Sequence, residues 1–322
     1  MSYIQKNIRS VYDESPIYTF YKALTVSTLR PATIRCVKSV LYNFFFRQYK
    51  ASLLPGRVPV TLVDHQLDEK IPFVPSWVNI YLDFTFFWVR MLGFFLHKGR
   101  RKYYHFVRDF IDAIGKMYSF AAESYKKNFS TTKRPFYIKR PRFFLIHLVD
   151  PHLMCIPSLH VMIAIFTYTK FKIMLCSNKK DENNDALTEE MRQGALGITR
   201  AILFVKQHSI NCIAAALYAM TCFDQTLFPV HEMEKFAEML FDYPLPAPLP
   251  ENPIRSKTSL RNSKVRPGAA PLTVIPATDA EEIKAHIISL YRHFLEGKKN
   301  APEKGWEEPL LSFMRSLPRK VS

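Results

Sequence analysis

The sequence predicts an all-α fold, a helical bundle embedded in a membrane and followed by a helical C-terminal tail. Three observations carry this. The 322 residues include 26 Phe but only 9 Gly, so the apolar content sits in long runs with few of the glycine-marked turns that separate short strands. Apolar residues recur at helical spacing, as at Phe106, Phe110, Ile114, Met117 and Phe120, while Arg108, Asp109, Asp112 and Lys116 fall on other faces. Finally, Ile71 to Leu96 carries only Asp83 and Arg90 as charges and is followed by Lys98, Arg100, Arg101 and Lys102. It exceeds the ~20 residues needed to cross a bilayer core and has the basic flank such segments carry.

Taken in order, residues 16–50 read as one or two amphipathic helices split by Pro31, with Arg30, Arg35, Lys38 and Arg47 interrupting the apolar positions. Residues 1–65 are therefore expected to be interfacial. Pro55-Gly56 marks a turn within 53–63. Asp83 and Arg90, seven apart, share a helix face and are expected to pair indirectly or to face the bundle interior. A helix over 103–125 leads into a basic loop, 126–142, where Pro135 and Pro141 stop helix. Phe143–Val149 is apolar and Asp150-Pro151 a turn. The next helix runs to Leu175, with Pro157 in its first turn and Ser158 as its cap.

Residues 177–190 read as a polar loop. Residues 194–223 read as two short helices or one bent near 206–210, and 230–242 as an amphipathic helix. Eight prolines between Pro244 and Pro276 indicate an extended linker. Thr278-Asp279-Ala280-Glu281 reads as a capping box for a helix striped by Ile283, Ile287, Leu290 and Phe294 and ended by Gly297. The chain thus divides into 1–65, a central bundle over 66–225, and a tail over 226–322.

The 45 Lys and Arg outnumber the 28 Asp and Glu, a formal +17, which suits an anionic partner. Nucleic acid is not expected, because the cations are interleaved with Phe in helix-length runs rather than gathered in a recognition helix. A phospholipid surface fits better. Cys36, Cys155, Cys176, Cys212 and Cys222 are too scattered for a disulfide framework. Met1–Lys6 lacks the pattern of a removable signal peptide.

Three stretches carry the candidate chemistry. Lys133 is followed after six residues by Arg140-Pro141. Next comes Pro157-Ser158-Leu159-His160, and last Lys206-Gln207-His208 with Cys212 four residues on. In order and spacing these resemble the type 2 phosphatidic acid phosphatase superfamily, the integral-membrane lipid phosphatases and their vanadium-haloperoxidase relatives. Leu67-Asp68-Glu69-Lys70-Ile71-Pro72-Phe73-Val74-Pro75, running into Tyr81, looks like the branch with Lys-Gln-His in its last motif. The likeness covers roughly residues 65–222.

The resemblance implies a multi-pass membrane bundle that dephosphorylates a lipid phosphate or related monoester, or transfers its phosphoryl group, without metal or cofactor. It makes His208 the nucleophile that becomes a phosphohistidine and His160 the acid for the leaving group. Lys133 and Arg140 become the phosphate clamp, and Ser158 a further donor. The sequence departs from the pattern at Cys212, where the family has Asp, and at Ala201-Ile202, where it has Ser-Arg. Cys212, expected on the same helix face as His208 and one turn on, carries a neutral thiol, a poor acceptor for an imidazole N–H. In serine proteases, losing the orienting carboxylate costs about 10⁴ in turnover. A catalytically impaired relative that binds anionic lipid or a partner protein is therefore the alternative expectation. A minor one is zinc, since Cys155, His160, His208 and Cys212 form two pairs with zinc-ligand chemistry.

Overall fold

The computed structural model describes residues 10–53, 59–137, 139–177, 183–242 and 275–319. Helix makes up 75% of it, and the two named strands are three residues each, so the fold is all-α.

Helix α1 (Pro16–Thr25) starts at Ser15, whose hydroxyl accepts from the Tyr18 N–H. Helix α2 (Arg30–Val40) has Pro31 in its first turn. Pro31 thus opens a helix rather than splitting one, because a missing N–H costs nothing at that place. A π turn over Leu41–Phe46 continues α2 into α3 (Arg47–Leu53). Strand β1 (Val60–Leu62) precedes a 3₁₀ turn at Gln66–Lys70, then α4 (Val78–Leu82), α5 (Phe84–Gly99) and α6 (Tyr104–Lys127). Strand β2 (Phe129–Thr131) pairs in parallel with β1, Thr61 opposite Ser130. There follow α7 (Pro141–Val149), α8 (Leu159–Cys176), α9 (Asn183–Phe204), α10 (Ile210–Phe223), α11 (Val230–Glu238), α12 (Ala277–Asn300) and α13 (Glu308–Ser316).

Helices α8 and α10 are apolar all round, and a helix of that kind must be surrounded. Helix α8 packs on α5, α6, α9 and α10. Every residue of α10 from Ile210 to Thr221 is buried. The N-terminal layer leans on this core through α1 against α5 and α2 against α6. At the latter contact a Cβ on Gly115 would lie 3.1 Å from the Cys36 Cα. Two helical stretches, Pro75–Gly99 and Leu159–Cys176, are long and apolar enough to cross a membrane, and 61% and 56% of the most apolar 18 residues of each are buried inside the protein.

Three expectations are corrected. The polar stretch 177–190 becomes helix from Asn183, because Leu187, Met191 and Ala195 recur at helical spacing and are buried. Helix α9 is accordingly 22 residues long rather than short, though the break before α10 falls at 205–209. In α12 the N-cap is Pro276, so Thr278 lies inside the first turn and makes no capping box. Gly297 does not end α12. It lets α13 approach, since a Cβ there would sit 3.3 Å from Pro309. The proline-rich linker falls largely on 243–274, outside the described residues.

The apolar stripe of α12 is buried as expected and packs on α10. Lys70 bridges to Asp279 and Glu282 at 2.9 and 2.6 Å. The His286 ring stacks on His65 at 3.9 Å, and its Nε2 is 2.8 Å from Asn211 Oδ1.

Asp83 and Arg90 pair directly, with Nη1 donating to both carboxylate oxygens at 2.9 and 2.8 Å. The guanidinium lies over the rings of Tyr12 and Phe86. Removing one partner leaves the other charge buried and alone, which costs about 3–5 kcal/mol, whereas replacing both by apolar groups is often near neutral. Arg90→Met should lower stability by about 3 kcal/mol or more, and adding Asp83→Leu should recover most of the loss. Urea unfolding of the two variants checks this.

Candidate active site

The site is assembled from two loops, each fixed by a different part of the chain. The first is Cys155–Ser158. Ser130 of β2 accepts from the N–H groups of Cys155 and Ile156 at 3.0 and 2.7 Å. On α6, the Ser124 hydroxyl donates to the Ile156 carbonyl and the Tyr125 hydroxyl to that of Pro157. With these main-chain groups engaged, α8 begins only at Leu159. Pro157, joined to Ile156 by a cis peptide bond, therefore precedes the cap instead of opening the first turn. Ser158 is the N-cap residue, but its side chain caps nothing. Its hydroxyl is buried with no hydrogen-bond partner among the described residues. Such a group costs free energy unless something binds there, and it stands where the first N–H groups of α8 present a positive dipole end.

The second loop is 205–209. Lys206 has φ 54°, and its ammonium donates to the carbonyls of Asp68 and Ile71. The Asp68 carboxylate accepts from the Ile210 N–H at 2.9 Å and from the His65 N–H at 2.8 Å. The Val74 N–H donates to the Phe204 carbonyl at 2.8 Å. The segment Leu67–Pro75 is thus the brace of the His208 loop. Helix α10 begins at Ile210 behind Ser209, so His208 lies outside it. The sequence expectation that Cys212 stands one helical turn beyond His208 on the same face is corrected accordingly. Cys212 is buried and neighbours the Cys155 thiol.

These two loops bring the His160 and His208 rings to 5.4 Å between centroids, edge to face. The half-buried His160 is stacked on Tyr81 at 4.7 Å and leans on Phe84 at 4.2 Å. His208 is buried, and its Nδ1 has no hydrogen-bond partner among the described residues. Burial, then the neighbouring His160 and His152, hold His208 well below the usual imidazole range, against the pull of Asp150 and of the Cys155 main chain. The ring is therefore neutral near pH 7 and keeps a lone pair.

His152, which the sequence did not single out, is the third ring, 6.1 Å from His208. Its φ is 59°, a left-handed conformation that costs an L-residue ~1–2 kcal/mol. The ring nitrogen Nε2 is 2.7 Å from the Thr132 hydroxyl, and Nδ1 is 3.8 Å from Asp150. Burial would raise the Asp150 carboxyl, but His152, aided by Arg134, holds it well below the usual carboxylate range.

Arg134 reaches this cluster, donating to Gln207 Oε1 at 3.3 Å and to the Asp150 carbonyl at 3.4 Å. Lys133 has its main-chain N–H on the Asp64 carboxylate at 3.0 and 3.1 Å and an exposed side chain. Arg140 is the half-exposed N-cap residue of α7. Of the residues nominated from sequence, His160, His208 and Ser158 come together, and the basic loop meets them through Arg134. Asp150, His152, Arg134 and Gln207 were not nominated. Their only signal was adjacency, two of them beside Lys133 and His208 and two just ahead of Cys155.

Comparison with protein-family models, with curated proteins and with solved structures finds no match to this chain.

One substitute for an absent group can be judged from geometry. Thr199-Arg200 lies eight residues before His208, near where the resembled pattern has Ser-Arg. Arg200 instead donates to the Leu240 and Met239 carbonyls, holding the turn after α11. The zinc expectation is also corrected. Among the described residues no group of three or more His, Cys, Asp and Glu side chains is arranged to hold a metal ion, and the Cys155 thiol instead faces His152 at 3.5 Å.

Burial likewise lowers His152, and burial with the adjacent His65 brings His286 down to about 4. Below pH ~6.5 the unfolded chain takes up protons that these folded rings refuse. Their contribution to stability is full above pH ~6.5 and is lost as pH falls, by up to ~1.4 kcal/mol per unit for each ring. The melting temperature should fall between pH 7.5 and 5, and His208→Gln should flatten that slope. A slope unchanged by the substitution would contradict the buried neutral ring.

Proposed function

We propose that this chain is a membrane-associated phosphatase or phosphotransferase acting on a lipid phosphate or related phosphomonoester through a phosphohistidine at His208. The observation that carries the reading is the 5.4 Å approach of the His160 and His208 rings, one from the first turn of α8 and the other from the 205–209 loop, far apart in the sequence. Neutral His208 attacks phosphorus and the ester P–O bond breaks. The leaving alkoxide takes a proton from His160, onto which the approaching phosphate dianion has drawn one. Water, deprotonated by His160, then cleaves the P–N bond and returns His208. Arg134 supplies fixed positive charge, with Lys133 and Arg140 as the rest of the clamp. The Ser158 hydroxyl and the first N–H groups of α8 offer donors to the equatorial oxygens.

The same proposal includes integral, multi-pass residence, with α4–α5 and α8 as the spans that length and composition support. One observation favours a second reading, a catalytically impaired relative that binds anionic lipid or a partner. Among the described residues no carboxylate meets His208 Nδ1, so the tautomer of the nucleophile is not fixed by an ion pair.

Hydrolysis of a generic phosphomonoester and of phosphatidic acid by the purified protein separates the two. His208→Ala should abolish turnover, and His160→Ala should lower it by about 10²–10⁴. Equal rates for the wild type and His208→Ala would leave the binder. Release from membranes by alkaline carbonate without detergent would rule out integral insertion.

A further inference from the structure

We propose that the outer face of α1, α2 and α3 docks onto an anionic lipid surface, through a contact separate from the phosphate site and independent of the phosphatase reading. Twelve of the eighteen exposed large apolar side chains among the described residues fall between Ile17 and Leu53. Along the continuous helical run from Arg30 they form a line at Ile34, Val37, Leu41, Phe45 and Leu53, with Phe46 beside it. Their spacings of three, four and eight put them on one side. The other side, at Ala32, Thr33 and Cys36, is buried, and α2 packs on α6. Leu41 is 53% exposed and Leu53 80%. By contrast, the two helices long enough to span a membrane expose one large apolar side chain each, Phe86 and Ile173. Contiguous apolar surface of this kind marks an interaction site.

Charge identifies the occupant. From Pro16 to Leu53 there are six cations, Lys22, Arg30, Arg35, Lys38, Arg47 and Lys50, and no Asp or Glu. Among the described residues only Arg35 is paired across to α6, at Asp112. The Lys50 ammonium lies 5.9 Å over the Phe46 ring, and that of Lys22 5.5 Å over Tyr18. Aliphatic stems lying along aromatic rings, with ammonium heads at the rim, are how such side chains sit at the headgroup level. Tyr21, Tyr42 and Tyr49 are exposed on the same layer and have the amphipathic ring favoured at that depth. An apolar face rimmed by cations matches acyl chains beneath anionic headgroups.

The test uses the full chain, co-sedimented with phosphatidylcholine vesicles made with and without phosphatidylserine. The wild type should partition onto the anionic vesicles. Leu41→Glu with Phe45→Glu should weaken partitioning about tenfold or more. Lys38→Gln with Lys50→Gln should weaken it roughly fivefold per charge, and only on phosphatidylserine. All four positions sit on the outer face, and circular dichroism melting checks that the fold is kept. The indole introduced by Leu41→Trp should be quenched by brominated acyl chains, which places the face in lipid without removing it. His208→Ala should partition like the wild type, so failure of the phosphatase reading leaves this result standing. The proposal is overturned if the wild type stays in the supernatant, if the Glu variant partitions as well as the wild type, or if the introduced indole is not quenched. Light scattering that shows a dimer abolished by the Glu substitutions, with no vesicle binding, would assign the face to a second copy instead.

Discussion

A single aspartate decides where His208 can be. The Asp68 side chain takes the Ile210 N–H on one oxygen and the His65 N–H on the other, while its own carbonyl receives Lys206. Loop 205–209 is too short to settle into helix or strand and carries a left-handed residue at Lys206. The N–H groups of Val205, Lys206, Gln207 and His208 turn back onto the Ala201, Leu203 and Ile202 carbonyls at the end of α9, so the turn itself is made locally. The brace comes from a segment far earlier in the chain and fixes how that turn is held against the rest of the protein. The same logic holds opposite, where Ser130 fixes Cys155 and Ile156. Both loops are anchored through side chains bonded to main-chain groups, Ser130 and Tyr125 on one and Lys206 and Asp68 on the other.

Much of this was legible in the sequence, and the part that was not has physical causes. Order and spacing foretold that His160 and His208 belong together, and the seven-residue step foretold that Asp83 and Arg90 share a face. The stripe on α12 was legible because its period is strong. What failed were inferences that needed helical phase across a boundary. Cys212 was assigned to the face of His208 on the assumption of continuous helix, yet the helix starts two residues after the histidine. Gly297 was read as a terminator because propensity is local, whereas its reason for being glycine is the approach of Pro309 from another helix. In the loop 133–140 spacing alone could not tell which of two adjacent cations turns inward. Arg134 does, because Gln207 and the Asp150 carbonyl give its fork two acceptors.

Apolar helices pose a separate difficulty. Protein interior and hydrocarbon ask the same composition of a helix, so α8 and the α4–α5 run satisfy either. More than half of the most apolar 18 residues of each is covered by the rest of the chain, while the N-terminal layer leaves its aromatic side uncovered among the described residues. Amphipathic patterning with interrupting cations, which looked the weaker signal in the sequence, marks the surface with the larger apolar exposure.

The docking of α12 carries a consequence for how the chain is made. His286 meets Asn211, the Asn211 amide reaches the Val63 carbonyl at 3.1 Å, and Lys70 is bound by Asp279 and Glu282. The segment that braces the His208 loop and the start of α10 are therefore themselves pinned by α12. A polypeptide leaving the ribosome has both histidines in hand well before it has that helix, and a segment made later closes the structure around them.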